Sequence, residues 1–169
     1  MPSNWPMDIN TCETQTWVKD FIWRVVEELM EFYEAFVEED RDHKIDELSD
    51  ALHFFTEIYV ILGYDSILLD NEINQIKWSL SDNNKIVIIL FNIIYELGMA
   101  SNALKNRKWK KNQVLVDQKE FYERLNIAYF HLIDLILSSF TEKENNKESL
   151  LNLYHLKNKV NQFRIRSEY

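Results

Sequence analysis

The apolar residues of the chain are spaced as in amphipathic helices. Between about Glu13 and Glu39 they recur at steps of three and four, at Val18, Phe21, Val25, Leu29, Phe32 and Phe36. Such steps place side chains on one face of an α-helix. A second helix is predicted from about Lys44 to Leu62, and Gly63 suits its end. The segment Arg41-Asp42-His43 is expected to interrupt the helical pattern between the two.

Four more helices are predicted downstream from the same periodicity: about Ser66 to Ser79, Lys85 to Leu104, Gln118 to Phe140 and Lys147 to Val160. The fourth helix of the chain is apolar on nearly all sides at its start, which indicates a central place in a bundle. The predicted fold is therefore all-α, a helical bundle of about six helices.

Composition favours the same fold. The 169 residues include only two Gly and two Pro, and both prolines lie within the first six residues, so the residues that hairpins and sandwiches need are nearly absent. With 46% apolar residues and 14% aromatics, the chain can bury one sizeable core. A single domain, residues 1–169, is expected.

Two parts of the chain, about 13–64 and 85–140, resemble each other faintly. Glu96-Leu97 lies in its helix as Glu28-Leu29 does, and Glu123-Arg124-Leu125-Asn126 echoes Glu47-Leu48-Ser49-Asp50. A duplicated helical hairpin in which one half kept its carboxylates would produce this likeness. Amphipathic helices also resemble one another by chance, so duplication and chance both remain open.

Charge excludes some classes of partner. The formal net charge of −9 argues against a general nucleic-acid binder, which usually carries a basic surface. The single cysteine, Cys12, cannot form an intrachain disulfide, and no Cys/His spacing of the zinc type occurs. Met1 to Asn10 does not resemble a signal peptide, and Ile86 to Ile94 is too short to span a bilayer. A cytoplasmic protein without a membrane partner is expected.

Four carboxylates form the main chemical pattern. Residues three apart on a helix share a face, so Glu28 and Glu31 form one pair of ligands and Glu47 and Asp50 form another, on consecutive helices. Oxygen ligands of this kind suit Mg²⁺, with Mn²⁺ as a substitute. On the helical wheel Glu28 and Glu47 flank the apolar face, whereas Glu27, by the same count, points away from it.

The four acids also fit a solvated surface or a different metal chemistry. With Asp and Glu at 28 positions, such spacings arise by chance on an exposed helix face. Asp50-Ala-Leu-His53 fits the carboxylate-x-x-His unit of di-iron bundles, but such a bundle needs two units. Neither His131 nor His155 has an acid three residues before it, and Asp40-Arg-Asp-His43 falls in the expected break between the helices, which disfavours that chemistry.

The chain resembles a known family at three places. Glu27-Glu28-Leu29-Met30-Glu31 with Glu47-Leu48-Ser49-Asp50 is similar to the EExxE…ExxD signature of the MazG-like all-α NTP pyrophosphatases. Asp50-Ala-Leu-His53-Phe54 resembles the DxxHF segment of the dimeric dUTPases and the related phage dCTPase-dUTPases. The tail from Lys157 to Tyr169 resembles their KNxxNxxR…Y motif. The middle of the chain matches only in helical character and in its basic loop.

The resemblance implies Mg²⁺-dependent hydrolysis of dUTP to dUMP and pyrophosphate around a four-helix metal-binding core. The metal ligands would be Glu28, Glu31, Glu47 and Asp50, and Glu28 would also act as the catalytic base on the attacking water. The nucleoside would contact His53, Phe54, Asn161 and Asn4, and the phosphates would contact Lys157, Arg164 and Tyr169. A homodimer is implied as well.

Two alternatives to a dUTPase remain. The substrate could be dCTP, or both pyrimidines, because a carboxamide such as that of Asn161 can present a donor or an acceptor to the base. The chain could instead be a non-catalytic helical module whose basic loop, Lys105 to Lys111 with Trp109 within it, binds a partner.

Overall fold

The computed structural model describes residues 6–63, 83–105 and 114–139, and from the C-terminal segment Asn152, Tyr154, His155, Asn158 and Lys159. Within these residues the structure is all-helical, and no strand occurs in them. Four long helices are present: α1 (Cys12–Val37), α2 (Arg41–Leu62), α3 (Asn83–Ala103) and α4 (Gln118–Ser139). The predicted all-α class is confirmed.

The predicted number of helices is only partly covered by the described residues. The helix expected at 66–79 lies outside them. Of the helix expected at 147–160, the five described residues are helical. Six helices and the more specific family fold therefore remain predictions, while the four long helices match expected ones to within three residues at each end.

The expected break at Arg41–His43 is wrong, because these residues form the first turn of α2. The actual link is Glu38 to Asp40. Glu39 has a left-handed φ of 60°, and its N–H donates to the carbonyl of Phe36 at 3.4 Å, while the N–H of Asp40 donates to that of Ala35 at 3.0 Å. These two bonds are those of a Schellman motif, which normally has glycine at the left-handed position.

Asp40 ends one helix and starts the next. Its backbone completes the α1 terminus, and its carboxylate accepts from the N–H of His43 at 3.1 Å, which makes it the N-cap of α2. The contacts along the two helices, Glu28 with Glu47 and Phe21 with Phe54, show that they lie side by side and antiparallel. At the far end of α2, Gly63 takes the left-handed conformation (φ 63°) that the sequence predicts for a helix end.

The helices pack as two hairpins. α1 lies along α2, and α3 lies along α4; α2 contacts α4 and α1 contacts α3 between the hairpins. The predicted apolar stripe of α1 faces this core, where Val18, Val25, Leu29 and Phe32 are fully buried. The rings of Phe55 and Tyr59 on α2 contact that of Tyr129 on α4 at centroid distances of 5.3 and 5.5 Å.

One stretch among the described residues, Asn84–Ala103 of α3, is long and apolar enough to cross a membrane by length and composition alone. Core helices of soluble proteins meet the same test. Ile93 and Leu97 of this stretch are fully buried in the bundle. Its inner side therefore belongs to the protein core.

The second hairpin carries an ion pair where the first carries two acids. Arg124 donates to Glu96 at 3.0 Å across the α3–α4 contact. The burial patterns of α2 and α4 agree best when Leu48 is set against Leu125, one residue from the register of the sequence echo. In that register Arg124 takes the place that Glu47 has in the first hairpin.

A candidate metal centre between the first two helices

Three of the four predicted ligands converge across the first hairpin. One carboxylate oxygen each from Glu28, Glu47 and Asp50 lies within 4.8 Å of the others. Glu28 comes from α1, and the other two come from α2 one turn apart. The antiparallel hairpin brings them together, as it also brings Phe21 of α1 to Phe54 of α2, with ring centroids 6.2 Å apart.

The ionisation of Glu28 is costly in this arrangement. Burial, followed by a hydrogen bond with Glu47 and by the negative charges of Asp50, Glu31 and Glu47, raises the pKa of Glu28 from 4.5 to about 8. Glu28 therefore holds a proton at neutral pH when no cation is bound. A divalent cation would replace that proton, because it offsets the repulsion that the proton removes.

The cluster suits a hard divalent ion. Its three donors are all oxygen atoms, which Mg²⁺ prefers, and they come from two helices fixed by a short link. Glu47 is buried, whereas Glu28 and Asp50 are partly exposed, so the cluster has one wall in the core and one side open to solvent. Such a site would leave positions on the ion for water and substrate oxygens.

Glu31, the fourth predicted ligand, lies at the exposed end of the cluster. It belongs to a second set of three, with His43 and Glu47, whose ligand atoms also lie within 4.8 Å of one another. The ring Nε2 of His43 is 2.8 Å from Oε1 of Glu47. Sequence reasoning missed His43 because it placed this residue in a break, although an i, i+4 pair of His and Glu was the available signal.

Glu27 is separate from the cluster, as the helical wheel predicts. Its carboxylate lies 3.1 Å from the guanidinium of Arg24 on the same helix, and both side chains are exposed. It belongs to neither set of converging donors within the described part of the chain. Adjacent glutamates thus have different surroundings because of helix geometry alone.

His53 and Phe54, the predicted base-binding residues, follow Asp50 by about one turn of α2. The His53 ring lies 6.0 Å from that of Phe54 and 6.5 Å from that of Tyr154, which comes from the C-terminal segment. Its Nε2 is 3.8 Å from Glu57. Its Nδ1 is buried and has no hydrogen-bond partner among the described residues. His53 joins neither set of converging donors, as far as the described residues extend.

The remaining predicted site residues lie outside the described residues. These are Asn4, Lys157, Asn161, Arg164 and Tyr169, together with all but the first residue of the Lys105–Lys111 loop. Tyr154, which precedes Lys157 by three positions, contacts His53 of α2. Burial and the charge of Glu57 raise the pKa of its hydroxyl.

Comparison of the chain with models of protein families found no match, and searches of curated proteins and of solved structures found no similar chain either.

Proposed function

We propose that this protein is a Mg²⁺-dependent nucleoside triphosphate pyrophosphatase of the MazG-like all-α type, and that it hydrolyses dUTP to dUMP and pyrophosphate. The observation that carries the proposal is the convergence of Glu28, Glu47 and Asp50 across the α1–α2 hairpin. The motif that suggests the family predicts these same residues as ligands, and their oxygen donors fit Mg²⁺.

The ion would be held by Glu28, Glu47 and Asp50, with Glu31 at the exposed edge. When bound, Mg²⁺ neutralises the phosphate charge and lowers the pKa of a coordinated water. Glu28 is the proposed acceptor of that water's proton, because a carboxylate of the cluster could contact both the ion and the attacking water. Glu47, packed against the core, fixes the position of the donors relative to Glu28.

The nucleoside would lie beside His53 and Phe54. Both are on α2 next to the acids, and the Nδ1 of His53 has a hydrogen-bonding capacity that no described residue uses. Tyr154 against His53 brings the C-terminal chain to the same side of α2. This placement supports roles for the tail residues Lys157, Asn161, Arg164 and Tyr169 with the triphosphate and sugar, and Asn4 is proposed at the base.

The proposed assembly is a cytoplasmic homodimer that binds neither nucleic acid nor membrane. An exposed apolar surface on α3, formed by Val87, Ile88, Phe91 and Tyr95, supports the dimer. Phe91 is 67% exposed, a large cost for an aromatic side chain unless something covers it. A second copy of the chain is the proposed cover.

The decisive experiment is a panel of nucleoside triphosphates with Mg²⁺, scored for pyrophosphate and monophosphate. We expect turnover of dUTP with Mg²⁺ and none with EDTA. A preference for dCTP would leave the proposed mechanism intact and would replace uracil by cytosine as the proposed base. If no triphosphate releases pyrophosphate, the enzyme proposal fails.

Glu28→Gln provides the matched test of the site, with Glu27→Gln as its control. Glu28→Gln should lower kcat by at least about a hundredfold, because removal of a general base commonly costs 10²–10⁴-fold. Glu27→Gln should keep kcat, since Glu27 pairs with Arg24 outside the cluster. Circular dichroism should show equal helicity in both variants. Equal activity of the two would remove Glu28 from the mechanism.

A non-catalytic module is distinguished by a thermal melt. Millimolar Mg²⁺ with a non-hydrolysable dUTP analogue should raise the Tm of the enzyme, because a ligand that binds only the folded state stabilises it. A module that uses its acids only as a solvated surface should show no shift.

A further inference from the structure

The exposed end of the acidic cluster contains a histidine. The ligand atoms of Glu31, His43 and Glu47 lie within 4.8 Å of one another, and the contact between His43 and Glu47 is direct, at 2.8 Å. We propose that these three residues form a second cation position that prefers a divalent transition metal, such as Zn²⁺ or Co²⁺, over Mg²⁺.

The chemistry of the donors supports this selectivity. An imidazole nitrogen suits Zn²⁺ and Co²⁺, whereas Mg²⁺ prefers oxygen ligands and retains several waters. The set around Glu28 has only oxygen donors, and the set around His43 has one nitrogen and two oxygens. One nitrogen and two oxygens complete a tetrahedral zinc site when water fills the fourth position. The two positions therefore differ in the metal that each would select.

The geometry requires only small movements. Ligands of one Zn²⁺ stand about 3–4 Å apart, because each bond is about 2.0–2.2 Å long. The donors lie within 4.8 Å of one another, so shifts of about 1 Å in the side chains would bring them together. Glu31 and His43 are exposed and able to make such shifts, while the buried Glu47 supplies a fixed point. The cap from Asp40 to the His43 N–H also fixes the backbone there.

Glu47 belongs to both donor sets. A carboxylate with two oxygens can bridge two cations, as in two-metal hydrolytic sites, where the ions stand about 3.5–4 Å apart. This inference rests on the proposed function in one respect, because Glu47 would be a ligand of both the Mg²⁺ and the second cation. Binding at His43 needs no nucleotide, so it can be tested alone.

The test compares metal titrations of His43→Gln and the unaltered protein by calorimetry. We expect His43→Gln to raise the Kd for Zn²⁺ by about tenfold or more, and by a larger factor than the Kd for Mg²⁺, because Zn²⁺ would lose a ligand whereas Mg²⁺ would lose only the contact of His43 with Glu47. His155→Gln is the control, because His155 is exposed and belongs to neither donor set of the described residues. An unchanged Zn²⁺ affinity in His43→Gln overturns the proposal.

A second measurement uses the unaltered protein. Zn²⁺ should shift the NMR resonance of the His43 Nε2, while Mg²⁺ should leave it in place. No shift with bound Zn²⁺ also overturns the proposal. Glu28→Gln, which should lack hydrolysis, should retain this shift. If Zn²⁺ binding depends on His43 but the protein hydrolyses no triphosphate, only the proposed function is refuted. If the protein hydrolyses a triphosphate with Mg²⁺ but does not bind Zn²⁺ through His43, only this inference is refuted.

Discussion

Glu28 and Glu27 are neighbours in the chain with opposite surroundings. Glu27 faces solvent and pairs with Arg24, whereas Glu28 turns toward Glu47 and Asp50 and retains a proton at neutral pH without a cation. One step along a helix rotates the side chain by about 100°, which is sufficient to separate a surface charge from a site residue.

The stability of the metal-free protein should fall as pH rises. The pKa of Glu28 is about 8 in the folded protein, against an ordinary value of 4.5. Between these two values the folded state binds more protons than the unfolded state, so the free energy of unfolding decreases with increasing pH. Urea denaturation in EDTA at several values from about pH 4.5 to pH 8 should show this decrease.

Glu28→Gln should weaken that pH dependence, because an uncharged carboxamide cannot lose a proton. Glu27→Gln should keep the slope of the unaltered protein. Mg²⁺ should reduce the loss of stability at high pH, because it stabilises the ionised cluster. A slope that is the same in Glu28→Gln and Glu27→Gln would contradict the assigned surroundings of Glu28.

At this scale sequence reasoning could identify the acids but not the histidine. Spacing and the helical wheel predicted that Glu28, Glu47 and Asp50 would meet, because their helices are regular and adjacent. Whether His43 lies on α2, and so next to Glu47, depended on the residue at which that helix begins. Helix ends are set by a few local bonds, so the periodicity of apolar residues does not reveal them.

The link between α1 and α2 is the element that determines how these residues meet. Glu39 occupies the left-handed position of the Schellman motif, where glycine is usual. Because the sequence has no Gly here, it gives no signal for the motif, and periodicity alone predicts the break at Arg41–His43. The bonds from Glu39 and Asp40 show that the turn needs only three residues.

Glu39→Gly should stabilise the protein by about 0.5–1 kcal/mol, because a side chain in the left-handed region costs about 1–2 kcal/mol and glycine gives back part of that in chain entropy. Glu38→Gly is the matched control. Glu38 has a right-handed φ of −80°, so glycine there should lower stability by a few tenths to about 1 kcal/mol. Urea denaturation of both variants measures the difference. Destabilisation by Glu39→Gly would contradict the strained conformation.

In the whole molecule the two hairpins are alike in packing and different in charge. The first has facing acids, and the second has Glu96 paired with Arg124. The bundle and its core followed from the spacing of apolar residues, since a helix that is apolar on one side must bury it. The pairing of α2 with α4 did not follow, because periodicity defines faces but does not specify which faces meet.

Phe91→Glu tests the proposed dimer. A charge placed on the exposed apolar surface of α3 should shift the protein from dimer to monomer in size-exclusion chromatography with light scattering, because the interface would have to bury that charge. Leu115→Glu is the control, an exposed apolar residue outside the helices. Equal masses for both variants and for the unaltered protein would remove this surface from the interface.

The three-residue link also bears on how fast the chain folds. Among the described helices, α1 and α2 are separated by the fewest residues along the chain. Closing this short loop costs less entropy than bringing together helices separated by residues 63–82 or 104–117. The first hairpin should therefore be formed in the folding transition state, with Glu28 already beside Glu47. Mg²⁺ should then accelerate refolding more than it slows unfolding, as stopped-flow mixing with and without the ion would show.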